Sequence, residues 1–253
     1  MEATTAPVTS REPAADAIVA CRNLSRRFGE GEAAVDALRG VDLDFPRAEL
    51  TAIVGPSGSG KSTLMHLLAG LDKPTQGEAW IDGIEVTGLN DKGITELRRE
   101  KLGFIFQFFN LVPVLNAEEN IVLPLRIAGD PIDRDWIKQL TEMVGLTDRL
   151  SHRPAELSGG QQQRVAIARA LAARPAVIFA DEPTGNLDSV SGAAVLEILR
   201  RAVDEFQQTV VMVTHDSRVA SYADRVIVLK DGSVFADQKV AGRDEVIKLM
   251  QEL

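Results

Sequence analysis

The sequence predicts an α/β fold: a core of mostly parallel strands, a small N-terminal antiparallel β subdomain, and an inserted helical subdomain. Three observations carry this expectation. Strands and helices alternate after Ser158, as they do when crossover helices cover a parallel sheet. A glycine-rich loop joins the short apolar run Leu50–Val54 to a helical stretch, Lys61–Gly70. The early chain instead has strands at hairpin spacing, at Ile18–Cys21, Val35–Phe45 and Glu78–Val86, the last broken by an Asp82-Gly83 turn.

Residues 1–16 are rich in Ala, Thr, Pro and Glu and read as a disordered arm ahead of one domain, 17–253. From Gly93 to Leu150 the signals are mostly helical, and the segment 93–157 reads as the inserted helical subdomain. Ile132, Trp136, Leu140 and Val144 recur every four residues, which places them on one helix face packed in a core. Gly160–Ala173 is helical. Ala176–Ala180 is a continuous apolar run, as expected of a parallel strand buried on both faces. Val195, Ile198, Ala202 and Phe206 mark another helix. Thr209–Val213 and Arg225–Leu229 are further strands, and Asp231-Gly232 turns the chain into a last one.

Composition narrows the function. At 253 residues the chain buries enough surface to need no staple. Its single cysteine, Cys21, leaves no disulfide framework and too few thiols for a structural zinc site. A net charge of -9 argues against nucleic acid as a partner, which calls for a basic stripe. No run is long and apolar enough to span a membrane, and the start lacks the basic and apolar regions of a secretory signal.

The loop Gly55-Pro56-Ser57-Gly58-Ser59-Gly60-Lys61-Ser62, followed by Thr63, fits the phosphate-binding pattern G-x-x-x-x-G-K-[ST]. Its position between a strand and an apolar helix is the context that the pattern requires, and it makes the core that of a P-loop NTPase. Glycines let the backbone wrap phosphates, and the freed N–H groups and helix start then face the anion. Lys61 adds a charge near the β- and γ-phosphates, and Ser62 offers a hydroxyl to Mg²⁺. The strand 176–180 ends in Asp181-Glu182. Ligands of open α/β sheets sit beyond the carboxyl ends of strands, so Asp181 is placed to hold Mg²⁺ through water and Glu182 to activate a water.

Leu157-Ser158-Gly159-Gly160-Gln161, followed by Gln-Gln-Arg, stands ahead of the acidic strand. With the two motifs above, in this order, it makes the chain resemble the ATPase subunits of ATP-binding cassette (ABC) transporters, from Ala17 to about Val240. Physically, Ser158 is a good helix N-cap, and the glycines leave N–H groups bare. The resemblance implies ATP and Mg²⁺ as ligands. It implies that Leu157 to Gln161, with Asp188 in Gly185-Asn-Leu-Asp188, complete the nucleotide site of a second copy in an ATP-dependent homodimer. Gln107, in Phe104-Ile-Phe-Gln-Phe-Phe, resembles the glutamine that senses Mg²⁺ or water beside the membrane partner. His215 resembles the histidine that contacts the γ-phosphate, and Phe28 aligns with the aromatic that stacks on adenine. Ala48-Glu49 replaces the Gly-Glu often found before the phosphate-loop strand.

Phenylalanines 104, 106, 108 and 109 and the apolar run 111–115 form a docking groove candidate around Gln107. The run from Phe104 to Leu125 is similar to a branch that serves lipoprotein release, macrolide export and cell-division or envelope-stress complexes. Membership implies an integral-membrane permease as partner, export or lipoprotein extrusion as the task, and a place on the cytoplasmic face of the inner or plasma membrane. Two alternatives stay open on the sequence: a soluble ABC ATPase, and a regulatory one that gates an envelope complex without transporting a substrate.

Overall fold

Two periodicities in the chain build two sheets. The computed structural model describes residues 12–240 and 243–251. In order it contains β1 (Ala17–Phe28), β2 (Val35–Pro46), β3 (Leu50–Val54), α1 (Lys61–Leu68), β4 (Gln76–Ile81), β5 (Ile84–Glu85), α2 (Asp91–Lys101), β6 (Leu102–Ile105) and α3 (Ala117–Ala128). There follow α4 (Arg134–Met143), α5 (Gly159–Ala172), β7 (Val177–Asp181), α6 (Ser189–Phe206), β8 (Thr209–Val213), α7 (Ser217–Ala220), β9 (Arg225–Lys230), β10 (Ser233–Lys239) and α8 (Arg243–Gln251). One sheet is antiparallel, ordered β2-β1-β4-β5. The other is ordered β10-β9-β3-β8-β7-β6 and is parallel except for β10 at its edge.

Strand side chains alternate between faces, and the core divides accordingly. Ile53, Phe179, Val211, Val213 and Ile227 pack with Leu64, Leu67 and Leu68 of α1 and with the antiparallel sheet. Ala52, Val54, Ile178, Ala180, Val210 and Met212 pack instead with α3 through α6 and α8. Helix α1 is thus held between the two sheets, and its first residue follows the phosphate loop.

The register sets the site. Ile53 pairs with Val213 on one side and Ile227 on the other, and Val213 pairs with Asp181. The carboxyl ends of β3, β8 and β7 therefore stop in line, and the three loops after them rise side by side.

Several local features depart from the sequence reading. Strand β1 runs on to Phe28, because Asn23 adopts φ 48° and the register with β2 shifts between Cys21 and Leu24. That irregularity breaks the alternation by which a strand is recognised. Within 93–157 the chain also forms β6, paired in parallel with β7 at the sheet edge. No Gly or Pro separates it from α2, so the helical pattern hides it. Residues 1–11 of the arm lie outside the described residues. Residues 12–16 meet the antiparallel sheet: the Ala14 N–H donates to Asp44 (3.2 Å), and Arg22 donates to the Glu12 carbonyl (3.1 Å). Ala48, where a glycine was expected, keeps φ 54°, so the turn holds its shape at a cost of about 1 kcal/mol.

The loop between β6 and α3 is fastened from below. Asn120 is fully buried. Its amide donates to the carbonyls of Val112, Leu115 and Asn116 (3.0–3.2 Å) and accepts the Val112 N–H (2.8 Å). Asn116 caps α3 in a reciprocal pair with Glu119. Asn120→Ala leaves the Leu115 carbonyl and the Val112 N–H without the partner that the amide supplies, so it should lower the unfolding free energy by about 1–3 kcal/mol. Urea titration followed by circular dichroism measures this; an unchanged midpoint contradicts the anchoring role.

Candidate active site

The loop after β3 closes on itself so tightly that side chains are excluded. A Cβ on Gly55 (φ 148°) would lie 2.1 Å from the Leu229 carbonyl oxygen, and one on Gly60 (φ 102°) 2.4 Å from that of Ala37. Lys61 opens α1 and is largely buried. Its Nζ donates to the carbonyls of Gly55 (2.9 Å) and Pro56 (2.8 Å), so the ammonium sits inside the loop. Burial holds its pKa below the ordinary lysine value, with Glu182 and Asp181 pulling the other way. Ser59 Oγ is buried without a hydrogen-bond partner.

The other two loops bring the carboxylates and the histidine. Asp181 ends β7, and its pKa is raised, first by burial; His66 and a hydrogen bond from Ser62 act against the rise. Glu182 follows in the left-handed region, φ 46°, a conformation that costs a residue with a Cβ about 1–3 kcal/mol. Its N–H donates to Val213 O (3.0 Å), and its own carbonyl accepts from Gly185 (3.0 Å). The turn aims its side chain at His215, whose Nδ1 lies 2.7 Å from Glu182 Oε1. The Glu182 side chain is 20% exposed and that of His215 73%.

One cleft of about 760 Å³ is lined by Gly55, Pro56, Ser57, Gly58, Gly60, Lys61, Ser62 and Thr63, with Glu182 and His215, while Ser59 and Asp181 lie off its lining. Ala37 and Val213 also line it; the sequence marked Val213 only as a strand end and Ala37 only as part of a strand. The cleft suits a polyphosphate: a cradle that a Cβ would fill, and an ammonium. It also suits Mg²⁺. Among the described residues no cluster of three or more His, Cys, Asp or Glu could cage a metal. Ser62 beside Asp181 is instead the sparse donor set of an ion that keeps phosphate oxygens and water in its shell.

Other expected site residues stand apart from the cleft. Phe28 is 43% exposed at the end of β1, opposite Val35, with the Arg26 guanidinium 4.6 Å above its ring. It is not a strand-end core residue, and its ring is open to stacking. Gln107 Nε2 donates to Asn186 (3.2 Å), whose amide donates back to the Gln107 carbonyl (3.0 Å), so the glutamine is tied to the 185–188 turn. Asp188 caps α6 through the N–H groups of Val190 and Ser191, and the Ser191 N–H chiefly holds its pKa low. Ser158 caps α5 in a reciprocal pair with Gln161, and Gly160 packs on Ser191. None of residues 157–161 lines the cleft.

Comparison with known proteins decides the family. The ABC transporter family pattern matches residues 38–185. The chain belongs to that family. It is 45% identical over 234 residues to MJ0796 of Methanocaldococcus jannaschii, described as an uncharacterized ABC transporter ATP-binding protein, covering 90% of this chain and 100% of the relative. LolD, a lipoprotein-releasing system ATP-binding protein of Legionella pneumophila, is 44% identical over 223 residues, 87% of this chain and 98% of LolD. The macrolide export ATP-binding/permease protein MacB of Aggregatibacter actinomycetemcomitans is 48% identical, but the match, 87% of this chain, spans only 34% of MacB. Among solved structures, the dimeric post-hydrolysis state of MJ0796 bound to ADP and Pi matches with a TM-score of 0.79 and 44% identity, covering 88% and 99% of the two chains. The fold is that of an ABC ATPase, and the branch is the one that the sequence resembles.

The raised Asp181 pKa has a consequence for stability. The folded chain binds this proton more tightly than the unfolded chain. Its contribution therefore favours folding below the usual carboxylate range and is lost as pH rises through the raised value. Asp181→Asn removes the charge and keeps the shape. Without nucleotide or Mg²⁺, the variant should melt close to the parent below the usual carboxylate range, at about pH 3.5, and above it at neutral pH. Calorimetry at both pH values checks this; a gap that does not widen with pH contradicts it.

Proposed function

We propose that two copies of this ABC ATPase close head to tail on two ATP molecules and that closure drives an integral-membrane permease, for export or lipoprotein extrusion. One observation carries the reading. Among the described residues one cleft is built around the phosphate loop, yet the second glycine-bearing helix start, at Ser158, lies outside that cleft and is exposed. A second copy can bring the one to the other. The dimeric MJ0796 structure with ADP and Pi supports this arrangement. The names of LolD and MacB support the membrane task.

In this reading the N–H groups of residues 58–63 orient the phosphates, and Lys61 turns from its own loop carbonyls towards them. Phe28 stacks on adenine through its free face. Glu182 orients a water and takes its proton, while His215 steadies both the carboxylate and the transferring phosphoryl. Ser62, Gln107 and, through water, Asp181 would hold Mg²⁺, which would supply counter-charge to the phosphates. Ser158 and Gly160 of the second copy donate to the γ-phosphate, with Leu157, Gly159, Gln161 and Asp188 shaping that contact. Prearranged donors of this kind are the main resource in phosphoryl transfer.

The permease docks beside Gln107. Phe108, Val114 and Ile127 are 73–74% exposed there, an apolar surface with no use in an isolated chain. Among the described residues no helix is long and apolar enough to cross a membrane. The chain works from the cytoplasmic face through its partner.

Two variants test the reading. Glu182→Gln should lower hydrolysis by about 10² or more and accumulate an ATP-dependent dimer on size exclusion. Normal turnover removes Glu182 from its role. Ser158→Arg should leave nucleotide affinity of the monomer within about twofold, since the sites are distant, yet abolish hydrolysis. Full activity there removes the composite site.

A further inference from the structure

Gln163 is the one fully buried side chain of helix α5 that ends on two catalytic loops at once. It is 0% exposed. Its Nε2 lies 2.5 Å from the carbonyl of Pro183, the residue after Glu182, and 3.4 Å from that of Phe106, the residue before Gln107. Both neighbours are acceptors, so the amide must turn its NH₂ towards them and its orientation is fixed. Its Oε1 is buried without a partner. An apolar side chain of similar size would avoid that orphaned oxygen but would forfeit the grip on the Pro183 carbonyl. The amide therefore serves something other than packing.

The three segments joined at this point belong to different nucleotide sites. In the proposed mechanism Glu182 and Gln107 serve the cleft of their own chain. Helix α5 begins at Ser158 and Gly159, which in the head-to-tail dimer serve the cleft of the second copy. We propose that Gln163 is the positioning residue that couples the two sites: it makes the position of α5, set by one ATP, and the position of the Glu182 turn, facing the other, a single mechanical variable. The inference rests on the composite dimer proposed above and adds the route between its halves.

The physical argument is one of stiffness. Glu182 sits in a strained backbone conformation, φ 46°, held by hydrogen bonds from its N–H and to its carbonyl. Pro183 has no N–H to add, so its carbonyl is the next polar group by which the turn can be gripped. Gln163 grips it from the floor. When a γ-phosphate draws the start of α5 towards it, Gln163 carries the shift to Pro183 and Phe106 within the same chain. Neither site then reaches its hydrolytic geometry until both hold ATP. Two sites that share such an element respond cooperatively, and the coupling is removable without touching either ligand.

The experiment compares Gln163→Met, which keeps length and loses both donated bonds, with Gln163→Glu, which sets oxygen against oxygen. The measurements are thermal unfolding, ATP affinity of the monomer by fluorescent nucleotide, and steady-state hydrolysis against ATP concentration. For Gln163→Met the expected result is a folded protein, monomer affinity within about twofold, kcat lowered about tenfold, and a Hill coefficient that falls from above one to about one. Gln163→Glu should follow the same pattern with a larger loss of kcat. A merely structural role would change stability and leave the Hill coefficient alone. A folded Gln163→Met that keeps the parent's kcat and Hill coefficient overturns the proposal, and so does a fall in kcat with cooperativity intact. If the parent itself neither dimerises with ATP nor shows cooperativity, the composite site has failed, and the coupling falls with it for that separate reason.

Discussion

The structure depends on one register. Asp181, Val213 and Ile53 lie side by side on three hydrogen-bonded parallel strands. This alignment makes three sequence-distant loops begin at one level. A shift of one residue in any of these strands would exchange the side chains packed on its two buried faces and carry its loop out of line with the others. The faces are buried on both sides, by α1 and the antiparallel sheet on one and by the helices α3 to α6 on the other. Hydrophobic burial thus sets the register, and the register places the phosphate loop, the carboxylates and the histidine around one cleft.

Around that cleft the chain holds several costly arrangements at once. Gly55 and Gly60 leave no room for a side chain. Lys61 and Asp181 are both shifted against their charged forms by burial, Glu182 is strained, and Ser59 Oγ lacks a partner. A triphosphate with its divalent ion would relieve the electrostatic part of these tensions. It offers acceptors to the loop, a counter-charge to the lysine and a cation to the carboxylate. Strain that gathers at a ligand site in this way is a mark of preorganisation rather than of poor packing.

Much of this was legible in the chain itself. The phosphate loop could be read because a strand, a glycine loop and an apolar helix occur in fixed order. Asp181 and Glu182 could be read because a continuous apolar run ends on them. The edge strand β6 was hidden by the unbroken run from α2, and the extension of β1 by its irregular pairing at Asn23. The left-handed turn at Glu182, the contact between His215 and Glu182 and the pairing of Gln107 with Asn186 left no local trace. They arise from the meeting of loops far apart in sequence, and no periodicity encodes that. Gln163 stood in the signature stretch as one of three consecutive glutamines. Only burial singles it out.

The central claim is that the γ-phosphate is gripped by the 55–62 loop of one copy and by the Ser158 helix start of another. Vanadate, trapped with ADP in place of the γ-phosphate, cleaves nearby backbone under ultraviolet light, so the cut positions report which residues lie beside it. The account predicts cuts within 55–62 and within 158–160, the second set lost under dilution that abolishes the dimer. Cuts confined to 55–62 in a preparation that is dimeric and turning over would contradict it.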